Sequence, residues 1–180
     1  ERPEIFGMQH PEIVEQIHSC YIDAGSDVIY ANTFGANAHK LRGTGYSVQE
    51  VLEANISAAK RAADGRAKVA LDVGPIGELM EPIGTLAFEE AYHIFAELVT
   101  VGEQAGADLV IFETMTDLYE VKAAVLAAKE HSSLPVWVRM SFGGDGRTFA
   151  GTTVAAMAVT VDGLGVDALG VNWILGPGGI

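Results

Sequence analysis

Several short polar signatures in this chain combine residue types and positions that suit small-molecule binding. Asn32 and Thr33 lead into Phe34-Gly35. A carboxamide and a hydroxyl offer donors and acceptors to a polar ligand, and Gly35 lets the backbone turn closely around it. Ordinary turn hydrogen bonds at a strand end account for the same residues equally well. Glu113 directly follows Leu109-Val110-Ile111-Phe112. A carboxylate at the rim of so dry a run must find a cationic partner or keep its proton to higher pH. Glu113 is therefore a candidate receptor for a ligand ammonium; a helix cap or a structural ion pair is the plainer alternative. Asp72 holds the equivalent place on the preceding apolar run, just before Gly74-Pro75, where a turn role is as natural. Asn172 ends Ala168-Leu169-Gly170-Val171 in the same way.

Other constellations carry less. Glu15-x-x-His18 and Glu90-x-x-His93 have the i, i+3 spacing of dinuclear carboxylate bundles. Such a centre needs four facing helices, whereas a strand separates each helix here from the next. Gly143-Gly144-Asp145-Gly146 resembles a phosphate cradle only in glycine content, since it lacks the lysine and the following Ser or Thr of a Walker loop. Gly176-Pro177-Gly178-Gly179 is as unspecific. Cys20 is the single cysteine, which excludes an intrachain disulfide framework and an all-cysteine metal site. It falls near the end of a helix, where packing is expected rather than metal binding.

The elements that must position these groups alternate in period. Ile13, Val14, Ile17, Tyr21 and Ile22 mark one face of a helix over Pro11–Ala24, and Gly25 supplies its stop. A buried strand over Val28–Phe34 follows. Helices are then predicted over Val48–Ala63, Phe88–Gln104, Asp117–Glu130 and Val154–Leu164, and strands over Val69–Val73, Leu109–Phe112, Val136–Phe142 and Ala168–Trp173. Strand starts recur about every 27–41 residues, the spacing of consecutive βαβ units. Strands that are apolar throughout indicate a parallel sheet covered on both faces. A doubly wound sheet and a closed (β/α)8 barrel both satisfy this alternation. Nearly every strand ends in a polar or glycine cluster, and only a barrel gathers all such ends at one mouth. The fold expected is therefore α/β, of the eight-stranded TIM-barrel type. Five strands are visible, so the expectation is a partial barrel spanning residues 1–180 and truncated at both ends.

The chain has 180 residues, 49% apolar and 19% charged, with Lys plus Arg at 11 against Asp plus Glu at 24. That composition excludes a disordered chain. A net charge of -13 argues against nucleic acid and anionic membranes as partners. No stretch reaches the ~18 unbroken apolar residues of a membrane span. A cytoplasmic protein is expected.

With these elements in place, the wording of the motifs becomes informative. His10-Pro11-Glu12-Ile13-Val14, Ala24-Gly25-Ser26-Asp27-Val28-Ile29, Asn32-Thr33-Phe34-Gly35-Ala36, Asp72-Val73-Gly74-Pro75-x-Gly77-Glu78, Phe112-Glu113-Thr114, Lys122-Ala123-Ala124-Val125 and Asp167-Ala168-Leu169-Gly170-Val171-Asn172 occur in that order. Together the sequence resembles the homocysteine-binding, or homocysteine S-methyltransferase, domain of cobalamin-dependent methionine synthase over essentially its whole length. The resemblance implies strands two to six of a (β/α)8 barrel and methyl transfer to the homocysteine thiolate to give methionine. It implies a zinc ion held by three cysteine thiolates, which would stabilise the substrate sulfur as a nucleophile. Cobalamin and folate would enter only through other domains of a full-length protein. Glu113 maps onto the carboxylate that holds the homocysteine ammonium, and Asn32, Thr33, Asp72 and Asn172 map onto the same mouth.

The departures are specific. Trp173 follows Gly170-Val171-Asn172 where the family has its first zinc cysteine, and an indole nitrogen only donates. The Gly-Gly-Cys-Cys-Gly motif and the front Asp-Gly-Ala-Met-Gly strand are absent from the sequence. The expectations are a chain without a zinc site and inactive alone, with homocysteine as ligand and open barrel edges that favour homo-oligomers. Two readings compete: a non-catalytic binding or interaction module that has lost the zinc site, and a different barrel enzyme with Glu113 or Asp72 as general base.

Overall fold

The computed structural model describes residues 2–173. Two helices, α1 (Pro3–Gln9) and α2 (Pro11–Asp23), precede β1 (Val28–Tyr30). Then α3 (Val48–Ala63), β2 (Lys68–Val73), α4 (Phe88–Gln104), β3 (Leu109–Met115), α5 (Leu118–His131), β4 (Val136–Phe142), α6 (Val154–Gly163) and β5 (Ala168–Trp173) alternate strictly. All pairings are parallel, and the strands lie in the order β1-β2-β3-β4-β5. A doubly wound sheet reverses its strand order at a switch point. The uninterrupted order instead curls the sheet into half of a barrel, as the polar strand ends anticipated.

Local chemistry explains the helix ends. Pro3 and Pro11 open α1 and α2 at positions where a missing N–H costs nothing. Ser47 and Glu50 form a reciprocal capping box at the start of α3. The side chains of Asp117 and Thr153 cap α5 and α6, accepting from the N–H groups of Tyr119 and Ala156 at 2.8 and 3.2 Å. Gly25, at φ 101°, turns the chain after α2 in the left-handed region.

The five strands have two unlike faces. Outward, Val69, Leu71, Val73, Val110, Phe112, Val136, Val138 and Met140 join the helices in one fully buried core. Phe112 meets Phe95 of α4 edge-on, with ring centroids 5.6 Å apart. Each such large side chain contributes about 1.5–3 kcal/mol through burial. Inward, Ala70, Leu109 and Ile111 form a separate small cluster with Val28, Tyr30 and Trp137 against it.

Three expectations about elements change. β1 is only Val28–Tyr30: the Ala31 N–H still donates to the Ala70 carbonyl of β2 at 2.9 Å, but the chain then turns, with Thr33 N–H donating to the Ala31 carbonyl at 2.8 Å and Ala36 N–H to that of Thr33 at 3.0 Å. β3 runs on to Met115, so Glu113 lies within the strand rather than after it. On α2 the buried face is Val14, His18 and Ile22, while Ile13, Ile17 and Tyr21 are 40%, 50% and 62% exposed. Cys20 is exposed as well, contrary to the packing expected of it, because it is off the Val14–His18–Ile22 stripe.

Candidate functional site at the inner face of the half-barrel

A strand alternates its side chains between two faces, so one parity of each strand enters the lumen. On β2 that parity is Ala70 and Asp72; on β3 it is Leu109, Ile111 and Glu113; on β4 it is Trp137, Arg139 and Ser141. The polar members are later in their strands than the apolar ones. The lumen therefore grades from a dry floor to a charged rim at the C-terminal ends.

A register irregularity sharpens that rim. Phe112 pairs with Val138 and Met115 with Met140, so Glu113 and Thr114 together oppose the single residue Arg139. This is a β-bulge, and Thr114 carries its strain at φ 59°, on the order of 1–3 kcal/mol for a β-branched residue. The Arg139 guanidinium donates to Glu113 Oε2 at 3.0 Å and to Asn172 Oδ1 at 2.8 Å. Asn172 Nδ2 in turn donates to Thr114 Oγ1 at 2.9 Å. Four side chains from β3, β4 and β5 thus close a ring across the rim, and the bulge is what lets both Glu113 and Thr114 take part.

Asp72 stands one strand away, level with Ile111 on the same inward face. It is 8% exposed, and its Oδ1 is buried without a hydrogen-bond partner among the described residues. Burial, then the neighbouring Glu113 charge, pushes its carboxyl up to about 8, with Arg139 opposing and Glu4 adding slightly. Its backbone is pinned by Thr33: the Thr33 hydroxyl donates to the Asp72 carbonyl at 2.8 Å and accepts from the Asp72 N–H at 3.1 Å. An ionisable oxygen held rigidly and left unpaired fits a cation that arrives from outside.

The structure divides the sequence-predicted residues. Asp72, Glu113 and Asn172 share the rim. Thr33 acts on it through the backbone of Asp72. Asn32 instead donates to the Pro3 carbonyl at 2.7 Å and faces Asn55 at 3.4 Å, so its amide anchors α1 and α3. Gly35 does permit a close approach, but of Glu4: its N–H donates to Glu4 Oε1 at 2.6 Å, and a Cβ there would sit 2.6 Å from that oxygen. Glu120 does the same for the next loop, accepting from Ile76 N–H at 2.7 Å, and burial pushes its carboxyl up to about 7.

Sequence reasoning missed Arg139 and Thr114. Arg139 had a signal, as the only charged residue in Val136–Phe142 and on the same parity as Trp137 and Ser141. Thr114 had none, because nothing in a Glu-Thr pair announces a bulge.

A three-thiolate zinc centre requires more cysteines than the single one of this chain. Its one cysteine is exposed on α2, and among the described residues no three His, Cys, Asp or Glu side chains converge. Glu15 pairs with Arg61 at 2.6 Å, and the buried His18, whose Nε2 has no partner among the described residues, belongs to no group of three such side chains. The residues present do not fit a three-thiolate zinc centre.

Fold and rim define a parallel (β/α) barrel-type protein with an amphoteric lumen. Sequence comparison then specifies the family: the profile of homocysteine S-methyltransferase matches residues 2–178, and the chain belongs to that family. It is 29% identical to methionine synthase of Mycobacterium leprae over 187 residues, covering 97% of this chain and 15% of that protein. Betaine--homocysteine S-methyltransferase 1 of Sus scrofa is 31% identical over 172 residues, covering 92% of this chain and 60% of that one. The chain thus spans under two thirds of these relatives' lengths. Among solved structures, the metallated homocysteine methyltransferase MmuM from Escherichia coli superposes with a TM-score of 0.83 at 19% identity, over 94% of this chain and 66% of that one. The carboxyl transferase domain of Rhizobium etli pyruvate carboxylase gives 0.54 at 15% identity, covering 89% of this chain and 24% of that one. At these identities the likeness is one of fold. Among the described residues no helix is long and apolar enough to cross a membrane.

Proposed function

We propose that the lumen rim binds homocysteine, and that this chain is the part of a methionine synthase-type homocysteine S-methyltransferase domain that orients the amino-acid end of the substrate. The observation that carries the reading is Asp72, a buried carboxylate with one unpaired oxygen next to the Glu113 charge. Arg139 already compensates Glu113, whereas Asp72 has no cation of its own, and the ammonium of an amino acid would supply one. Glu113 and Asp72 receive that ammonium, Asn172 holds the ring that aims Glu113, Thr33 fixes the Asp72 backbone, and Asn32 braces the strand end behind them. The methyl donor, and any zinc, cobalamin or folate, belongs to other parts of a longer protein, and this chain alone transfers no methyl group. The acidic charge and single cysteine support a cytoplasmic setting without nucleic-acid or membrane partners. The single-sided pairing of β1 and the exposed Ile13, Ile17 and Tyr21 support association with a second copy.

Calorimetric titration with L-homocysteine and L-methionine tests the reading. Weak binding accompanied by proton release near pH 7 is expected, since an ammonium beside Asp72 expels the proton that burial retains. No heat from either amino acid at millimolar concentration overturns it. The second reading, a binding module without catalysis, is favoured by the exposed, isolated Cys20. A reading frame that supplies a downstream Gly-Gly-Cys-Cys-Gly would remove it.

A further inference from the structure

Arg139 has no assigned part in the resemblance, yet it sits at the centre of the rim. It is a charged side chain on a strand otherwise made of apolar and small residues, and it faces the lumen between the carboxylate of Glu113 and the carboxamide of Asn172. A guanidinium carries five N–H donors in a planar fork. Two are engaged with Glu113 and Asn172, and those bonds hold the plane in one orientation. The side chain remains 37% exposed and lines a cavity together with the inward-facing Tyr30, Ile111 and Trp137. Its positive charge also reaches Asp72, whose carboxyl it pulls down against the effects of burial and Glu113. On one inward surface, therefore, an unpaired buried carboxyl and an incompletely used cation lie within each other's field. That arrangement complements a zwitterion, whose ammonium and carboxylate are themselves only a bond or two apart.

We infer that Arg139 is the carboxylate anchor of the lumen, making the site selective for α-amino acids over amines of the same side chain. This rests on the amino-acid reading of the rim and assigns the half of the ligand that Glu113 and Asp72 cannot hold. Glu113 and Asn172 preorganise the fork, and the ligand carboxylate accepts from its remaining N–H groups as a charge-assisted pair. The Glu113 bond need not break for this to happen. In the empty rim Arg139 also neutralises Glu113, so removing it frees a carboxylate for any cation.

The test compares L-methionine with the amine left when methionine loses its carboxylate, titrated calorimetrically into the wild-type chain, Arg139→Met and Arg139→Lys. Wild type should bind methionine at least about tenfold more tightly than the amine. Arg139→Met should remove that preference by weakening methionine, while the amine binds as well or better because Glu113 is released. Arg139→Lys should restore part of the preference, keeping the charge but not the fork. A purely structural ion pair predicts something different, a parallel loss for both ligands. That parallel loss, or equal affinity of the wild type for both, overturns the role of Arg139 and leaves the amino-acid site standing. Binding of neither ligand by the wild type overturns both. Should Arg139→Met fail to give a cooperative melt, Arg139→Lys decides: an unchanged ratio between the ligands overturns the inference.

Discussion

The same five strands present two faces that obey different rules. Outward, the layer under α4 and α5 is close-packed: Phe112 meets Phe95, and Val110 and Val138 are at zero exposure. Inward, the cluster is small, the rim is charged, and one carboxylate oxygen has no partner. Folding is carried by the outer face, where burial and dispersion around Phe112 and its neighbours are close to complete. The inner face keeps unfinished interactions, which cost stability in isolation and are valuable only when something binds. Strand parity separates the two tasks by a single residue step, Phe112 belonging to one and Glu113 to the other.

Perturbing each face should produce unlike results. Phe112→Ala empties the tightest part of the outer layer and should cost about 3–5 kcal/mol of stability in urea melts. A loss below about 1 kcal/mol would mean the outer layer relaxes to fill the gap, contrary to its close packing. Asp72 and Glu120 should make the protein less stable as pH rises. Each holds a proton when folded that it releases when unfolded, Asp72 between 3.8 and about 8, Glu120 between 4.5 and about 7. The unfolded state binds fewer protons in that window, so stability falls by up to about 1.4 kcal/mol per pH unit for each group. The stabilisation is complete below both unfolded values and is lost through the folded ones. Asp72→Asn should flatten the slope between pH 4 and 8, and an unaltered slope in melts across that range would place the titration elsewhere.

Glu113→Gln should weaken amino-acid binding about ten- to a hundredfold, or about 1.5–3 kcal/mol, by removing one charge-assisted bond. Its melting temperature should barely move, since Glu113 is on the face that does not carry the fold. The opposite pattern, unchanged affinity with lower stability, would turn the Arg139 pair into a structural brace. The smallest effect is expected from Ile17→Lys on the exposed stripe of α2. It should alter stability by no more than about 0.5 kcal/mol, while lowering the apparent mass by light scattering at high concentration. An unchanged mass would remove that stripe from any self-association.

Much of the frame was legible in the sequence. Val48–Ala63, Phe88–Gln104, Val136–Phe142 and Ala168–Trp173 have the predicted bounds as elements or differ only at their caps, because periodicity and capping residues are local properties. Where prediction failed, a longer-range interaction had intervened. Val28–Phe34 reads as one strand, but Thr33 turns away to clasp Asp72. Ile13, Ile17 and Tyr21 read as a core face, but burial fell to the neighbouring stripe through His18. Asn32 reads as a site amide; it lines a cavity with Thr33 and Asp72, but its Nδ2 is engaged by the Pro3 carbonyl of a helix that no pattern announced.

By itself the sequence determined the alternation of helices and strands, the apolar outer parity, the family to which the motifs belong, and the poverty of thiolates, since each follows from residue types and short spacings. The tertiary structure alone decided which polar residues meet. The bulge that sets Glu113 and Thr114 opposite Arg139, the ring closed through Asn172, and the unpaired oxygen of Asp72 all depend on register between strands up to 58 residues apart in the chain. Register is fixed by how whole faces pack, and a local pattern carries no record of it.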